Sequence, residues 1–239
     1  MDNLIKEACV TNYYQAKRAF ELGANRLELC FDMSNDGITP SFGTAKQIKE
    51  NINIPLFCMI RPRGGNFIFD KSEINIMLDD IFILIKYAKI DGIVIGCLMH
   101  WEYIILFNHF IKNIFLKILN KNNEIDIEAN KLLINKAREL NKDIQITFHM
   151  AFDEIRDINI EYQKNIDLLI NLGINRILTK GCKFNCFQGK DNIKKYLEYA
   201  NDRIIIMAGK GITNENYMDI VKYTKCKEIH GTKIVGLLE

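Results

Sequence analysis

Short strand-like runs alternate with longer stretches of helical periodicity from one end of this chain to the other, the signature of repeated βα units laid around a parallel sheet. Eight such runs can be counted, at residues 4–10, 26–30, 55–61, 92–96, 144–149, 176–179, 203–208 and 228–231. Helical patterns fill the intervals at 12–22, 40–51, 71–89, 127–140, 159–172, 191–201 and 213–223. The expected fold is therefore an α/β TIM-type (β/α)8 barrel, a single domain over residues 1–239. The typical length for that fold is about 250 residues. The chain ends soon after the eighth run, so a complete final helix is not expected.

Local signals agree with this division. Thr39-Pro40 reads as a hydroxyl N-cap followed by proline at the first helical position, and Asp70 with Glu73 reads as a capping box. Gly23 and Gly173 stand where helices should stop. The segment Leu22-Gly-Ala-Asn-Arg-Leu-Glu-Leu recurs as Leu172-Gly-Ile-Asn-Arg-Ile-Leu-Thr, four βα units later, as duplication of a half-barrel would produce. One stretch breaks the rhythm. Residues 98–123 form an apolar insertion after the fourth strand, containing the single tryptophan, Trp101. Phe107, Phe110, Ile111, Ile114 and Ile118 lie at helical spacing there, but Glu102, His109, Lys112 and Lys117 interrupt the run too often for a membrane span. An amphipathic helix on the barrel mouth, an oligomer contact and translated non-coding sequence are the readings left open.

Composition narrows the partners. Lys and Arg number 32 against 30 Asp and Glu, a net charge of +2, which gives no electrostatic footprint for nucleic acid. Met1-Asp2-Asn3-Leu4 enters an apolar run without a basic region or cleavage site, and seven scattered cysteines suit a reducing compartment. A cytoplasmic protein is expected.

In this fold chemistry sits at the C-terminal ends of the strands. Those ends carry Glu7 and Cys9, Glu28 and Cys30, Arg61 with Arg63, Cys97, His149 with Asp153, Thr179 with Lys180, Lys210 and His230. Residues two apart on a strand share a face, so two carboxylates and two thiols crowd one side of the mouth if that face is the interior. Paired soft thiolates on adjacent strands are what Cu(I) prefers; small buried packing residues are the alternative reading of Cys9 and Cys30. Met99, His100, Cys182 and Cys186 are further soft ligands near the same rim. Arg61-Pro-Arg63-Gly-Gly suits a carboxylate or phosphate, and Gly209-Lys210-Gly211 suits an anion at a helix start, unless each is only a tight turn. Glu7, Glu28, His149 and Asp153 are the candidate acid–base groups, with Asp153 orienting His149. These groups would equally equip a barrel enzyme acting on a small anionic or phosphorylated metabolite.

Several of these residues lie in stretches that resemble the CutC family of copper homeostasis proteins: Glu7-Ala-Cys9, Asn25-Arg-Leu-Glu-Leu-Cys30, Gly37-Ile-Thr-Pro-Ser41, Met59-Ile-Arg-Pro-Arg-Gly-Gly65, Asp91-Gly-Ile-Val-Ile-Gly96, Thr147-Phe-His-Met-Ala-Phe-Asp153, Arg176-Ile-Leu-Thr179, Met207-Ala-Gly209 and Glu228-Ile-His230. The resemblance covers nearly the whole chain apart from the insertion. It implies a TIM-type barrel and Cu(I) binding, with Cys9 and Cys30 where the family's copper-binding cysteines stand, and it implies no particular reaction. The chain departs from the family pattern at Met150, Lys180 and Lys210, where arginine, serine and glycine are usual. A copper ion or a small anionic ligand is the expected partner. A homo-oligomer is expected too, because a shortened barrel leaves apolar surface to be covered.

Overall fold

The computed structural model describes residues 4–101 and 122–238. The first half runs β1 (Ile5–Val10), α1 (Tyr13–Glu21), β2 (Arg26–Leu29), α2 (Phe42–Asn51), β3 (Leu56–Met59), α3 (Lys71–Ile83) and β4 (Gly92–Ile95). Then come β5 (Leu98–Trp101) and β6 (Asn122–Ile125), followed by α4 (Ile127–Leu140), β7 (Gln145–Phe148), α5 (Ile158–Asn171) and β8 (Arg176–Thr179). The chain closes with α6 (Lys190–Ala200), β9 (Ile205–Ala208), α7 (Tyr217–Thr224) and β10 (Glu228–Gly231). Eight strands pair into a closed parallel barrel in the order β1-β2-β3-β4-β7-β8-β9-β10 and back to β1. Each of the eight strands expected from the sequence is present. β5 and β6 stand apart as an antiparallel ribbon that opens and closes the expected insertion, whose middle, with its expected helix, lies outside the described residues.

Period-two alternation sorts the strands into two cores. Ala8, Val10, Leu27, Leu29, Cys58, Ile93 and Ile146 face outward and merge with Ala16, Ile48, Met77 and Leu133 of the surrounding helices in one apolar cluster. The intervening positions face the barrel interior, where Cys9, Cys30, Phe57, Met59 and Val94 form a second, separate cluster. The recurrent segment performs the same work twice. Gly23 and Gly173 turn in the left-handed region at φ +86° and +82°, which side-chain-bearing residues seldom adopt. Asn25 then accepts from the Lys6 amide at 2.9 Å and Asn175 from the Ile146 amide at 2.8 Å, each tying its own strand to the preceding one. Arg26 and Arg176 follow, and both turn inward to Glu228.

Three local expectations are adjusted. α2 starts at Phe42 with Ser41 as its cap, not at Pro40, because Thr39 is taken up in a paired contact with Arg61: its amide donates to the Arg61 carbonyl at 2.9 Å and its hydroxyl accepts from the Arg61 amide at 2.9 Å. The capping box of Asp70 and Glu73 is present, and α3 widens into a π turn at Leu84–Ala88 before Lys89 stops it in the left-handed region. α7 begins eight residues after Gly209, not directly beside it. Residues 232–238 form no helix; they bridge back to Thr213 through Lys233 and pack Ile234, Val235 and Leu238 into the outer core. No described helix is long and apolar enough to cross a membrane.

Candidate functional site

A cavity of about 600 Å³ opens at the C-terminal ends of the strands. Deeper in the barrel, towards the N-terminal ends of the strands, lies an ion network. Arg26 donates through Nε to Glu7 and through Nη2 to Glu228, and Arg176 donates to Glu228 at 3.2 Å and to Gln145 at 3.1 Å. Phe57 lies beneath both guanidiniums, 4.7 and 4.9 Å from their carbons. Burial opposes the charge on Arg26, but Glu7 and Glu228 overcome it and raise its pKa above the ordinary arginine value. Glu7, one of the candidate acid–base groups, is therefore committed to holding the barrel together below the cavity.

Above this network, β1 and β2 bring Cys9 and Cys30 to 3.9 Å between sulfurs. A third sulfur joins them: Met33, in the short turn after β2, places Sδ 3.7 Å from Cys9 Sγ. Its turn is closed by Gly37 at φ +83°, where a side chain would meet Cys30 Sγ. The contact with Cys30 holds the Cys9 thiol below the ordinary thiol range, while that same contact and burial raise Cys30. Glu28 lies within 4.8 Å of both sulfurs. Its other partner is His230, at 2.7 Å. Burial opposes both charges, yet each charge stabilises the other, lowering Glu28 and raising His230.

Across the cavity His149 packs on Phe67, ring centroids 4.8 Å apart, and its Nδ1 accepts from the Ala151 amide at 3.2 Å. Burial pushes its pKa down to about 3, with the Arg61 charge working in the same direction. The expected pair with Asp153 does not form. Asp153 instead accepts from the Thr179 hydroxyl at 2.5 Å and from the amides of Lys180 and Gly181 at 3.0 and 3.2 Å, fixing the loop after β8. Burial pushes that carboxyl up to about 6.

Arg61 lines the cavity and donates to the carbonyls of Asn35, Gly37 and Gly65 at 3.0, 3.0 and 2.7 Å. Arg63 turns away to Glu73, 2.5 Å from Nε to carboxylate. Gly209 spends its amide on the Thr179 carbonyl at 3.0 Å, whereas Lys210 and Gly211 line the rim, with Lys210 3.5 Å from Asp36. Cys97 and Cys186 belong to the outer core, and Cys182 is turned to the Asn185 carbonyl at 3.3 Å. None of these three thiols lines the cavity.

The geometry can be set beside known proteins. The sequence model of the CutC family matches residues 4–106 and 99–235, which together span nearly all of the chain. The chain belongs to the CutC family. A CutC family protein of Enterococcus faecalis is 37% identical over 237 residues, covering 97% of this chain and 100% of its own. The human copper homeostasis protein cutC homolog is 34% identical, covering 96% of this chain and 73% of its own. The crystal structure of a CutC protein from Streptococcus agalactiae superposes with a TM-score of 0.82 at 34% identity, covering 97% of this chain and 99% of the other. Beyond the CutC family, the aldolase QR15 shares the barrel at TM-score 0.62 and 11% identity, a likeness of fold alone.

Proposed function

We propose that this CutC protein binds Cu(I) as a cytosolic component of copper homeostasis, with Cys9 and Cys30 as ligands and Met33 as a third. The observation that carries the reading is the sulfur trio at the cavity wall, with Cys9 3.9 Å from Cys30 and 3.7 Å from Met33. With metal–sulfur bonds of about 2.3 Å, three sulfurs around one ion stand about 4 Å apart. Two thiols and a thioether form a soft set that suits Cu(I) over harder ions. Binding displaces thiol protons, and a reducing compartment keeps both thiols available.

Titration of the reduced protein with Cu(I) against a competing chelator tests this. The Cys9→Ser, Cys30→Ser double variant is expected to lose at least a hundredfold in affinity, and Met33→Leu severalfold, while Cys226→Ser in the outer core leaves it unchanged. Undiminished affinity in the double variant would overturn the assignment.

The homo-oligomer is proposed on a separate surface. Ile76, Phe82 and Ile83 of α3, Tyr87 just beyond it and Leu132 of α4 are large exposed apolar side chains on helices that pack together. Sedimentation is expected to give a multiple of the 27.8 kDa chain mass. Monomer mass at micromolar concentration rejects it.

A further inference from the structure

Among the buried donors that line the cavity, Arg61 Nε and His149 Nε2 have no hydrogen-bond partner among the described residues; His230 Nδ1 is a third, on a ring already paired with Glu28 through Nε2. Arg61 and His149 are 2% and 4% exposed. A buried donor left unpaired is costly, and such groups are rare unless they serve a purpose. Neither Arg61 Nε nor His149 Nε2 holds any part of the fold. The loop contacts of Arg61 run through Nη1 and Nη2, and the turn contact of His149 runs through Nδ1.

The two donors differ in charge, and the difference selects different acceptors. Arg61 is held by neutral carbonyls and makes no ion pair with a carboxylate among the described residues; the side chain of Asp36 is directed to Lys210 instead, at 3.5 Å. Its positive charge calls for an anion. His149 takes a hydrogen bond at Nδ1, so Nε2 carries the ring's one proton and the imidazole is a neutral donor, suited to a carbonyl or hydroxyl oxygen. Phe67 touches both groups, 4.7 Å from the guanidinium carbon and 4.8 Å from the imidazole, and so spaces them within one wall. At the rim, Lys180 and Lys210 each face a carboxylate at 3.5 Å, from Glu154 and Asp36, and Lys233 is exposed to solvent, so Arg61 is the buried cation that meets a ligand's charge inside the cavity. One buried cation favours a monoanion over a phosphate dianion at that depth. The volume of about 600 Å³ exceeds what a metal ion needs and lies in the range of organic-ligand sites. Met59, Leu178 and Ile212 supply apolar wall for a hydrocarbon tail.

We propose that the cavity binds a small monoanionic oxo or hydroxy carboxylic acid, its carboxylate against Arg61 and its second oxygen accepting from His149. This goes beyond the copper reading and does not rest on it, since neither donor touches the thiols.

Ligand-observed NMR on the reduced, metal-free protein tests it with four probes: 4-methyl-2-oxopentanoate, 4-methylpentanoate, 4-methylpentanamide and inorganic phosphate. The oxo acid is expected to bind at least tenfold more tightly than the simple acid, with the amide and phosphate not binding. His149→Phe is expected to reduce the oxo acid to the level of the simple acid. In the unaltered protein the ¹⁵N resonance of His149 Nε2 is expected to move with the oxo acid and not with the simple acid, which decides the matter even if the phenylalanine variant fails to fold. Absence of oxo-acid binding, equal binding of acid and amide, displacement by phosphate, or an unmoved Nε2 resonance overturns the proposal. Each leaves the copper assignment standing.

Discussion

Replacing Arg26 with methionine is expected to cost about 3–5 kcal/mol of stability, because removing one partner from a buried ion network leaves the others charged and unpaired. Arg26 is the common partner of Glu7 and Glu228. Glu228 keeps Arg176 at 3.2 Å after the change. Glu7 keeps nothing: its second oxygen has no partner among the described residues, and its residue is 0% exposed. Methionine preserves the apolar stem over Phe57, so the loss reports the charge and not the packing. A domain is typically stable by about 5–15 kcal/mol, so this single change consumes a large part of the margin. Urea denaturation followed by circular dichroism measures it. Adding Glu7→Gln is expected to restore part of the loss, since it removes the stranded charge that causes it. A cost below about 1 kcal/mol for Arg26→Met would mean that water reaches the network and that it does not hold the barrel.

The network also shows where the sequence is legible and where it is not. Strand alternation is a local property, so the eight strands and their inward positions could be read directly; Glu7, Cys9, Glu28 and Cys30 do share the inner face. Arg26 and Arg176 stand out in the recurrent segment, but their common partner Glu228 is 202 residues from one and 52 from the other, a separation that no local pattern spans. Met33 lies outside any strand, so strand alternation gives no sign that it reaches the thiols. A bridge between Phe31 and Ile38 and the left-handed Gly37 fold its turn back over the thiols. Its place three residues after Cys30 was the available signal. His149 and Asp153 were misread for the opposite reason: their spacing suggests a pair, but a short 3-10 turn begins at Met150 and carries Asp153 to the loop after β8. Thr39 shows the same limit, since its cap-like position yields to a contact with Arg61, 22 residues away.

Acid is expected to destabilise the protein through His149, and a His149→Asn variant is expected to lose that part of the response. Burial holds the folded imidazole at about 3, below its ordinary 6.5, with Arg61 adding to the effect and Glu28 opposing it. Between those values the unfolded chain binds a proton that the folded chain refuses. Stability therefore rises with pH across this window and is lost as pH falls from 6.5 towards 3, at up to about 1.4 kcal/mol per pH unit. Asp153 acts with the opposite sign. Its carboxyl is raised from 3.8 to about 6, so it contributes stability below 3.8 that is lost as pH rises through 6, and it partly masks the histidine in the same range. The difference between parent and variant removes this overlap. Asparagine can still accept from the Ala151 amide, so the turn cap is retained, and it cannot titrate. Unfolding free energies measured from pH 7 to pH 4 are expected to converge as pH falls, the parent starting higher and dropping more steeply by close to one proton's worth. Parallel curves would show that the His149 ring titrates in the folded protein as it does in the unfolded chain, so that burial does not hold it neutral.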